Sequence, residues 1–197
     1  APDKPYDAAG VFSGGAVEKD GRQALLYTGV SEEVLPDGSK QVRQNQCLAV
    51  GDGLDYEKDG ANPVITADQL PPGSSLEDFR DPKVWKEDET FYTVVGSRAE
   101  DGSGQVALFS SEDLKHWKFC SILDRCENRY GKMWECPDFF RLGNSQILMV
   151  SPQDMMAEGL EFHNGNGVVY LIGDYEKEQF RFHRKAVQSP DYGLDFY

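Results

Sequence analysis

The sequence lacks the features of membrane-spanning and secreted proteins. Its 197 residues contain no run near the ~18 consecutive apolar residues that a membrane span needs. The first five residues, Ala1-Pro2-Asp3-Lys4-Pro5, are not a charged region followed by an apolar stretch, as a secretory signal would be. We therefore expect neither a signal nor an anchor, and no membrane partner.

Cysteine and histidine are sparse and irregularly spaced. The four cysteines form no C-x-x-C pair, the three histidines lack metal-ligand spacing, and there is no Asn-x-Ser/Thr glycosylation acceptor. This pattern favours neither a zinc site nor a secreted disulfide framework. We expect no metal, no cofactor and a reducing, cytoplasmic location.

Positive charge is also scarce. Twenty Lys and Arg residues stand against 34 Asp and Glu, which gives a formal net charge of −14. Surfaces that bind nucleic acid or anionic membranes need clustered Lys and Arg to neutralise phosphates. The charge therefore argues against a nucleic-acid partner and leaves neutral ligands open.

The residues that are present predict a β fold. Hydrophobic residues make up 39% of the chain and aromatic residues 12%, which is enough for a sizeable core. The apolar runs are only about four to six residues long, are bounded by Gly, Asp, Asn and Pro, and keep no helical period over three turns. We read the chain as mostly strand.

Two segments, residues 79–84 and 134–139, resemble each other. Each carries an acidic residue next to a proline turn, Asp81 one residue and Glu135 two residues before the proline, and Pro82 and Pro137 are 55 residues apart. That offset fits a four-stranded propeller blade better than a helical repeat. Each acid would lie in the first strand of its unit, so both carboxylates can point into one central pocket.

The repeat continues beyond the prolines, and a looser copy opens the chain. The matching segments are 91–95, 105–109 and 111–117; 147–150, 168–172 and 173–180; and 11–17, 24–28, 46–50 and 54–57. We predict one partial propeller domain over 1–197, with approximate blades at 8–66, 75–127 and 133–187 and the start of another at 191–197. Three blades cannot close a ring. We therefore expect missing blades on both sides and, because of the open edges, self-association.

Three tripeptides carry a family resemblance. Arg80-Asp81-Pro82, Glu135-Cys136-Pro137 and Phe12-Ser13-Gly14, in this arrangement, resemble glycoside hydrolase family 32, which contains the invertases and sucrose-6-phosphate hydrolases. The resemblance covers essentially the whole chain and implies an all-β, five-bladed propeller of which this chain supplies blades two to four. The family's nucleophilic Asp lies in a Trp-x-Asn-Asp-Pro-Asn-Gly motif of the first blade, and this sequence contains no such motif.

The resemblance implies roles for two acids. Cleaving a fructosyl bond with retention needs one carboxylate to attack and one carboxylic acid to protonate the leaving oxygen. Glu135 resembles the family's acid/base, whose pKa we expect the charge of Asp81 to raise. Asp81 resembles the transition-state stabiliser, which stays ionised and hydrogen-bonds the fructose hydroxyls.

Four further residues are expected to bind substrate. Arg80 would keep Asp81 ionised and donate to the sugar or to a neighbouring acid. Trp134 would be a sugar platform, with a core aromatic as the alternative. Phe12 would line the pocket, with a core residue as its alternative, and Ser13 would join the hydrogen-bond network. The family's Phe-Ser-Gly-Ser element has Gly15 here in its last place, which puts a hydroxyl role at that position in doubt.

These observations support one main function and two alternatives. The main hypothesis is a retaining β-fructofuranosidase that acts on sucrose, sucrose 6-phosphate or short fructans. One alternative is a noncatalytic carbohydrate-binding or assembly module, since the nucleophile motif is lacking. The other is a related five-bladed glycosidase acting on arabinose or xylose glycans; the Cys beside Glu135 and the Phe-Ser-Gly element argue against it.

Overall fold

The computed structural model of the chain describes residues 1–193, which form three four-stranded antiparallel sheets. The N-terminal sheet contains β1 (Gly10–Lys19), β2 (Arg22–Val34), β3 (Lys40–Gly51) and β4 (Tyr56–Lys58). The central sheet contains β5 (Phe79–Glu87), β6 (Thr90–Arg98), β7 (Gly104–Ser111) and β8 (Lys118–Arg125). The C-terminal sheet contains β9 (Met133–Leu142), β10 (Ser145–Gln153), β11 (Val169–Glu176) and β12 (Arg181–Gln188).

The strands of each sheet follow one another in chain order, as in a propeller blade. The first strands of successive sheets are neighbours, because β1 packs beside β5 and β5 beside β9. The prediction of an all-β propeller built from four-stranded units is therefore confirmed. The segment 191–197, predicted to open another blade, lies mostly outside the described residues.

The central sheet is buried on both faces, and its sequence reflects this. In β7 the four residues from Val106 to Phe109 are completely buried. Ala107 and Phe109 pack into the core shared with the N-terminal sheet, whereas Val106 and Leu108 pack into the core shared with the C-terminal sheet. Successive side chains of a strand point to opposite faces, so a continuous apolar run fills two cores.

The last strand of two units lies later than the matched segments suggest. Residues 112–117 form a turn in which the Asp113 carboxylate accepts hydrogen bonds from the backbone N–H groups of Lys115 and His116. The outer strand β8 begins only after this turn, and β12 follows a short 3-10 turn at Lys177–Gln179. No helix within residues 1–193 is long and apolar enough to cross a membrane.

Candidate active site

The three first strands share an irregularity near their beginnings. The pairing register shifts at residues 12–14 in β1, at 80–83 in β5 and at 135–138 in β9. Such a β-bulge places an extra residue on one strand and redirects the side chains around it. Because the three strands are neighbours, the bulges bring the three predicted tripeptides to one end of the sheets.

The second residue of two bulges has an unusual backbone. Asp81 has φ of +62° and Cys136 has φ of +45°, in the left-handed region that residues other than glycine seldom adopt. The backbone N–H of Cys136 donates to Asp81 Oδ2 at 3.0 Å, and the Cys136 thiol lies 3.7 Å from the same oxygen. The β9 bulge therefore holds the Asp81 carboxylate directly.

The first residues of the same two bulges form an ion pair. Arg80 Nε donates to Glu135 Oε1 at 2.8 Å, and the two side chains are only 10% and 12% exposed. Arg80 Nη1 also donates to Asp78 Oδ1 at 3.1 Å and to Gln44 Oε1 at 3.2 Å. Arg80 is thus fixed between two carboxylates, that of Asp78 just before β5 and that of Glu135 in β9.

Opposing contributions set the pKa of Asp81. Burial raises the pKa of Asp81, the Cys136 N–H and the Arg80 charge partly oppose that rise, and the Glu135 charge adds to it. The Arg80 charge therefore favours the ionised form of Asp81, as predicted, although the hydrogen bonds of its guanidinium go to Glu135, Asp78 and Gln44. Burial and the adjacent Asp81 charge also raise the pKa of the Cys136 thiol to about 12, so that this thiol is neutral near pH 7.

Ser13 and Asp81 line one small cavity of about 200 Å³. The remaining lining residues come from the same three bulges and the positions beside them: Gly14, Pro82, Lys83, Cys136, Pro137 and Asp138. Phe12, beside Ser13, is 46% exposed, so its ring is not a core residue within the described part of the chain. A side chain of Ser or any larger residue at position 15 would crowd the β5 backbone, since a Cβ there would lie 3.0 Å from the Val84 nitrogen.

Trp134 is a core residue, and its prediction as a sugar platform is wrong. The side chain is completely buried between the central and C-terminal sheets, and its Nε1 donates to the Tyr130 carbonyl at 2.7 Å. Neighbouring residues of a strand point to opposite faces. A strand that directs Glu135 towards Arg80 must therefore direct Trp134 into the core.

Two buried polar residues near the site were not predicted. Thr28 Oγ1 accepts the backbone N–H of Asp81 at 3.0 Å and donates to Gln46 Oε1 at 2.8 Å. Both side chains are completely buried. No local sequence signal marks Thr28, because Asp81 is 53 residues away in another sheet.

The described residues include no group of three or more His, Cys, Asp or Glu side chains that could hold a metal ion. Of the ionisable groups in the site, the Glu135 carboxyl could transfer a proton and the Asp81 carboxylate could stabilise positive charge.

Comparisons with known proteins agree with this arrangement. The model of the glycosyl hydrolases family 32 N-terminal domain matches residues 1–197. The whole chain is similar to sucrose-6-phosphate hydrolases of Zymomonas mobilis, at 41% identity over 39% of that protein, and of Bacillus subtilis, at 40% identity over 40%. It is also 39% identical to a raffinose invertase of Escherichia coli, over 40% of that protein.

Solved structures give the same picture. A GH32 β-fructofuranosidase of Bombyx mori superposes on 94% of the chain and 39% of its own length, with a TM-score of 0.85 and 39% identity. A sucrose-6-phosphate hydrolase of Lactobacillus gasseri covers the entire chain over 39% of its own length, with a TM-score of 0.79 and 28% identity. The chain spans about two-fifths of the length of the relatives it matches.

Proposed function

The chain belongs to glycoside hydrolase family 32, and from this membership and the site geometry we propose that the complete protein is a retaining β-fructofuranosidase. Its three sheets are blades of the family's five-bladed propeller. The proposed substrates are sucrose, sucrose 6-phosphate and short fructans. The names of the relatives support this choice, as does a complex of a Bombyx mori enzyme variant with sucrose.

The observation that carries the proposal is the contact between the β5 and β9 bulges. Arg80 is ion-paired with Glu135, and the Cys136 N–H holds Asp81, so two carboxylates are fixed beside each other at one end of the sheets. In the proposed reaction Glu135 protonates the glycosidic oxygen as a carboxylate nucleophile attacks the anomeric carbon. Glu135 then removes a proton from the water that releases fructose.

The nucleophile has to come from outside these 197 residues, because the family's nucleophile motif does not occur among them. Asp81 would stabilise the positive charge that develops on the fructosyl ring and accept hydrogen bonds from its hydroxyls. Ser13, in the same cavity, and the exposed ring of Phe12 would contact the sugar. Arg80 would bind the acid/base, to which it already donates, and could also donate to the sugar through its remaining N–H groups.

The test is hydrolysis by the complete protein, with sucrose, sucrose 6-phosphate and an arabinofuranoside as substrates. We expect fructose release from one or both sucrose substrates, with the β anomer of fructose appearing first by NMR. Cleavage of the arabinofuranoside alone would remove the fructosidase assignment. Sugar binding without hydrolysis would favour a noncatalytic module instead.

We also propose a cytoplasmic location. Cys47, Cys120, Cys126 and Cys136 are all free thiols, and free thiols persist best in a reducing compartment. Fractionation of the source cells, with the activity assayed in each fraction, should recover the protein with the soluble cell contents. Recovery from the external medium would contradict the proposal.

A further inference from the structure

The backbone N–H of Asp81 has no partner in its own sheet. The β5–β6 register passes from the Arg80–Gly96 pair to the Lys83–Val94 pair, so the bulge leaves Asp81 and Pro82 outside the ladder. Asp81 is only 8% exposed. A buried N–H that has lost its ladder partner needs another acceptor, and the nature of that acceptor decides how the residue is oriented.

Thr28 of the N-terminal sheet supplies this acceptor. Its Oγ1 lies 3.0 Å from the Asp81 nitrogen. In the N-terminal sheet Thr28 pairs with Gln46 of β3 on one side. On the other side it pairs with Phe12 of β1, the residue at which the β1 bulge begins. The contact therefore joins the N-terminal sheet to the bulge of the central sheet.

Gln46 fixes the direction of the Thr28 hydroxyl. Gln46 Nε2 donates to the Phe79 carbonyl at 2.9 Å, which turns Oε1 towards Thr28. The Thr28 hydroxyl must then donate to Gln46, and its lone pair is left to accept the N–H of Asp81. The Gln46 backbone is itself held by two hydrogen bonds with Ile65. Gln46, and with it the Thr28 hydroxyl, is therefore fixed in position.

Asp81 is consequently held at two points by two different sheets. Thr28 binds its backbone N–H from the N-terminal sheet, and the Cys136 N–H binds its carboxylate from the C-terminal sheet. We propose that Thr28, oriented by Gln46, is a positioning residue that sets the direction of the Asp81 carboxylate during fructoside hydrolysis. This inference rests on the proposed function.

The test compares Thr28→Val with Thr28→Ser in the complete enzyme, after fructoside hydrolysis by the unsubstituted enzyme has been measured. Valine keeps the shape of threonine but has no acceptor, whereas serine keeps the hydroxyl. We expect Thr28→Val to lower kcat by about 10- to 100-fold with little change in KM, because a displaced catalytic group costs turnover. Thr28→Ser should stay within about threefold of the unsubstituted enzyme, since the acceptor is retained.

Thr93→Val is the matched control. Thr93 is also a completely buried strand threonine, but its Oγ1 donates to the Lys83 carbonyl and has no bond to Asp81. A general loss of packing or hydrogen bonding would lower kcat equally in both valine variants. We expect Thr93→Val to keep the unsubstituted kcat, because it leaves the Asp81 N–H bonded.

The double variant Thr28→Val/Asp81→Asn shows whether Thr28 affects turnover through Asp81 or independently of it. If Thr28 acts through Asp81, Thr28→Val should add little to the loss that Asp81→Asn already causes. Additive losses, equal losses in the two valine variants, or a normal kcat in Thr28→Val would each overturn the inference. An unsubstituted enzyme that hydrolyses no fructoside would overturn the proposed function as well, and it would be recognised before any variant is studied.

A folding failure of Thr28→Val would not end the test. Thr28→Cys has a small side chain with a weakly accepting sulfur in place of the hydroxyl. We then expect kcat to fall in the order unsubstituted, Thr28→Ser, Thr28→Cys. Equal turnover of the serine and cysteine variants would contradict the role of the acceptor.

Discussion

The bulges of β5 and β9 have a similar backbone and opposite chemistry. Both precede a proline, both have a positive φ at their second residue, and equivalent positions are 55 residues apart. The first position is Arg80 in one bulge and Glu135 in the other, and the second is Asp81 in one and Cys136 in the other. Each residue contacts its own counterpart, by an ion pair in the first case and by an N–H to carboxylate bond in the second.

A third pair at the same offset differs in burial. Lys83 Nζ lies 3.0 Å from Asp138 Oδ2, with side chains that are 46% and 37% exposed, whereas the Arg80–Glu135 pair is almost buried. Charge interactions in water are weak, and buried ones are costly to break. One repeated backbone geometry therefore presents both a buried ion pair and a solvent-exposed ion pair, and the two pairs differ in burial.

Removing the acid from the β9 bulge should have the largest effect. Glu135→Gln in the complete protein is expected to lower kcat on sucrose by ~10²–10⁴-fold, because the glutamine amide cannot protonate the leaving oxygen. Steady-state hydrolysis measures this. Near-normal turnover would refute the acid/base role and reduce the two bulges to a structural repeat.

Removing the positively charged Arg80 from the β5 bulge should mainly lower the stability of the fold. Arg80→Met removes the cation that the carboxylates of Glu135 and Asp78 share in a largely buried site, although Asp78 keeps its ion pair with Arg98. We expect a loss of about 3–5 kcal/mol in the free energy of unfolding, by analogy with other broken buried pairs. Denaturant unfolding of the complete protein measures this loss. A loss no larger than the ~0–1 kcal/mol typical of an exposed ion pair would show that burial does not make the Arg80–Glu135 pair more important for stability.

The second position of the β5 bulge should matter for the transition state. Asp81→Asn is expected to lower kcat/KM by an amount equivalent to ~2–4 kcal/mol, as removal of other positioned electrostatic groups does. Asparagine can still accept the Cys136 N–H, so the fold should persist. Unchanged catalytic efficiency would sink the role of Asp81 in stabilising charge.

The same substitution should change how stability depends on pH. The folded pKa of Asp81 lies above its ordinary value of 3.8, so the folded state binds this proton more tightly than the unfolded state. The stability contributed by this proton is fully present below pH 3.8 and is lost as the pH rises through the folded pKa. Relative to the unsubstituted protein, Asp81→Asn should therefore gain stability between acidic and neutral pH, as seen in unfolding curves at several pH values. A difference that stays constant with pH would contradict the raised pKa.

The exposed pair should have the smallest effect. Lys83→Met removes a partner of Asp138 in a solvated setting, and we expect a change of about 0–1 kcal/mol in the free energy of unfolding. This variant is the matched control for Arg80→Met, since it breaks a contact between the same two strands at the same offset. Equal losses in the two variants would end the distinction between them.

The sequence predicts the repeat well because its signals are local. The prolines that closely follow Asp81 and Glu135, together with the short apolar runs, reveal the blades and the strands that carry the acids. The same local reasoning misplaced Trp134, since the sugar-platform interpretation ignored that a residue next to Glu135 must point to the opposite face. It missed Thr28 altogether, because the acceptor for the Asp81 N–H comes from a different sheet and no pattern along the chain encodes that contact.

The most direct test of the account is whether the loss of turnover caused by Glu135→Gln depends on the leaving group of the substrate. In the complete protein, turnover of the variant and of the unsubstituted enzyme would be compared on sucrose and on an aryl β-fructofuranoside whose phenolate leaves without protonation. The account predicts a large loss on sucrose and a much smaller loss on the aryl substrate, because the second needs no general acid. An equal loss of turnover on both substrates would contradict the assignment of Glu135 as the group that protonates the leaving oxygen.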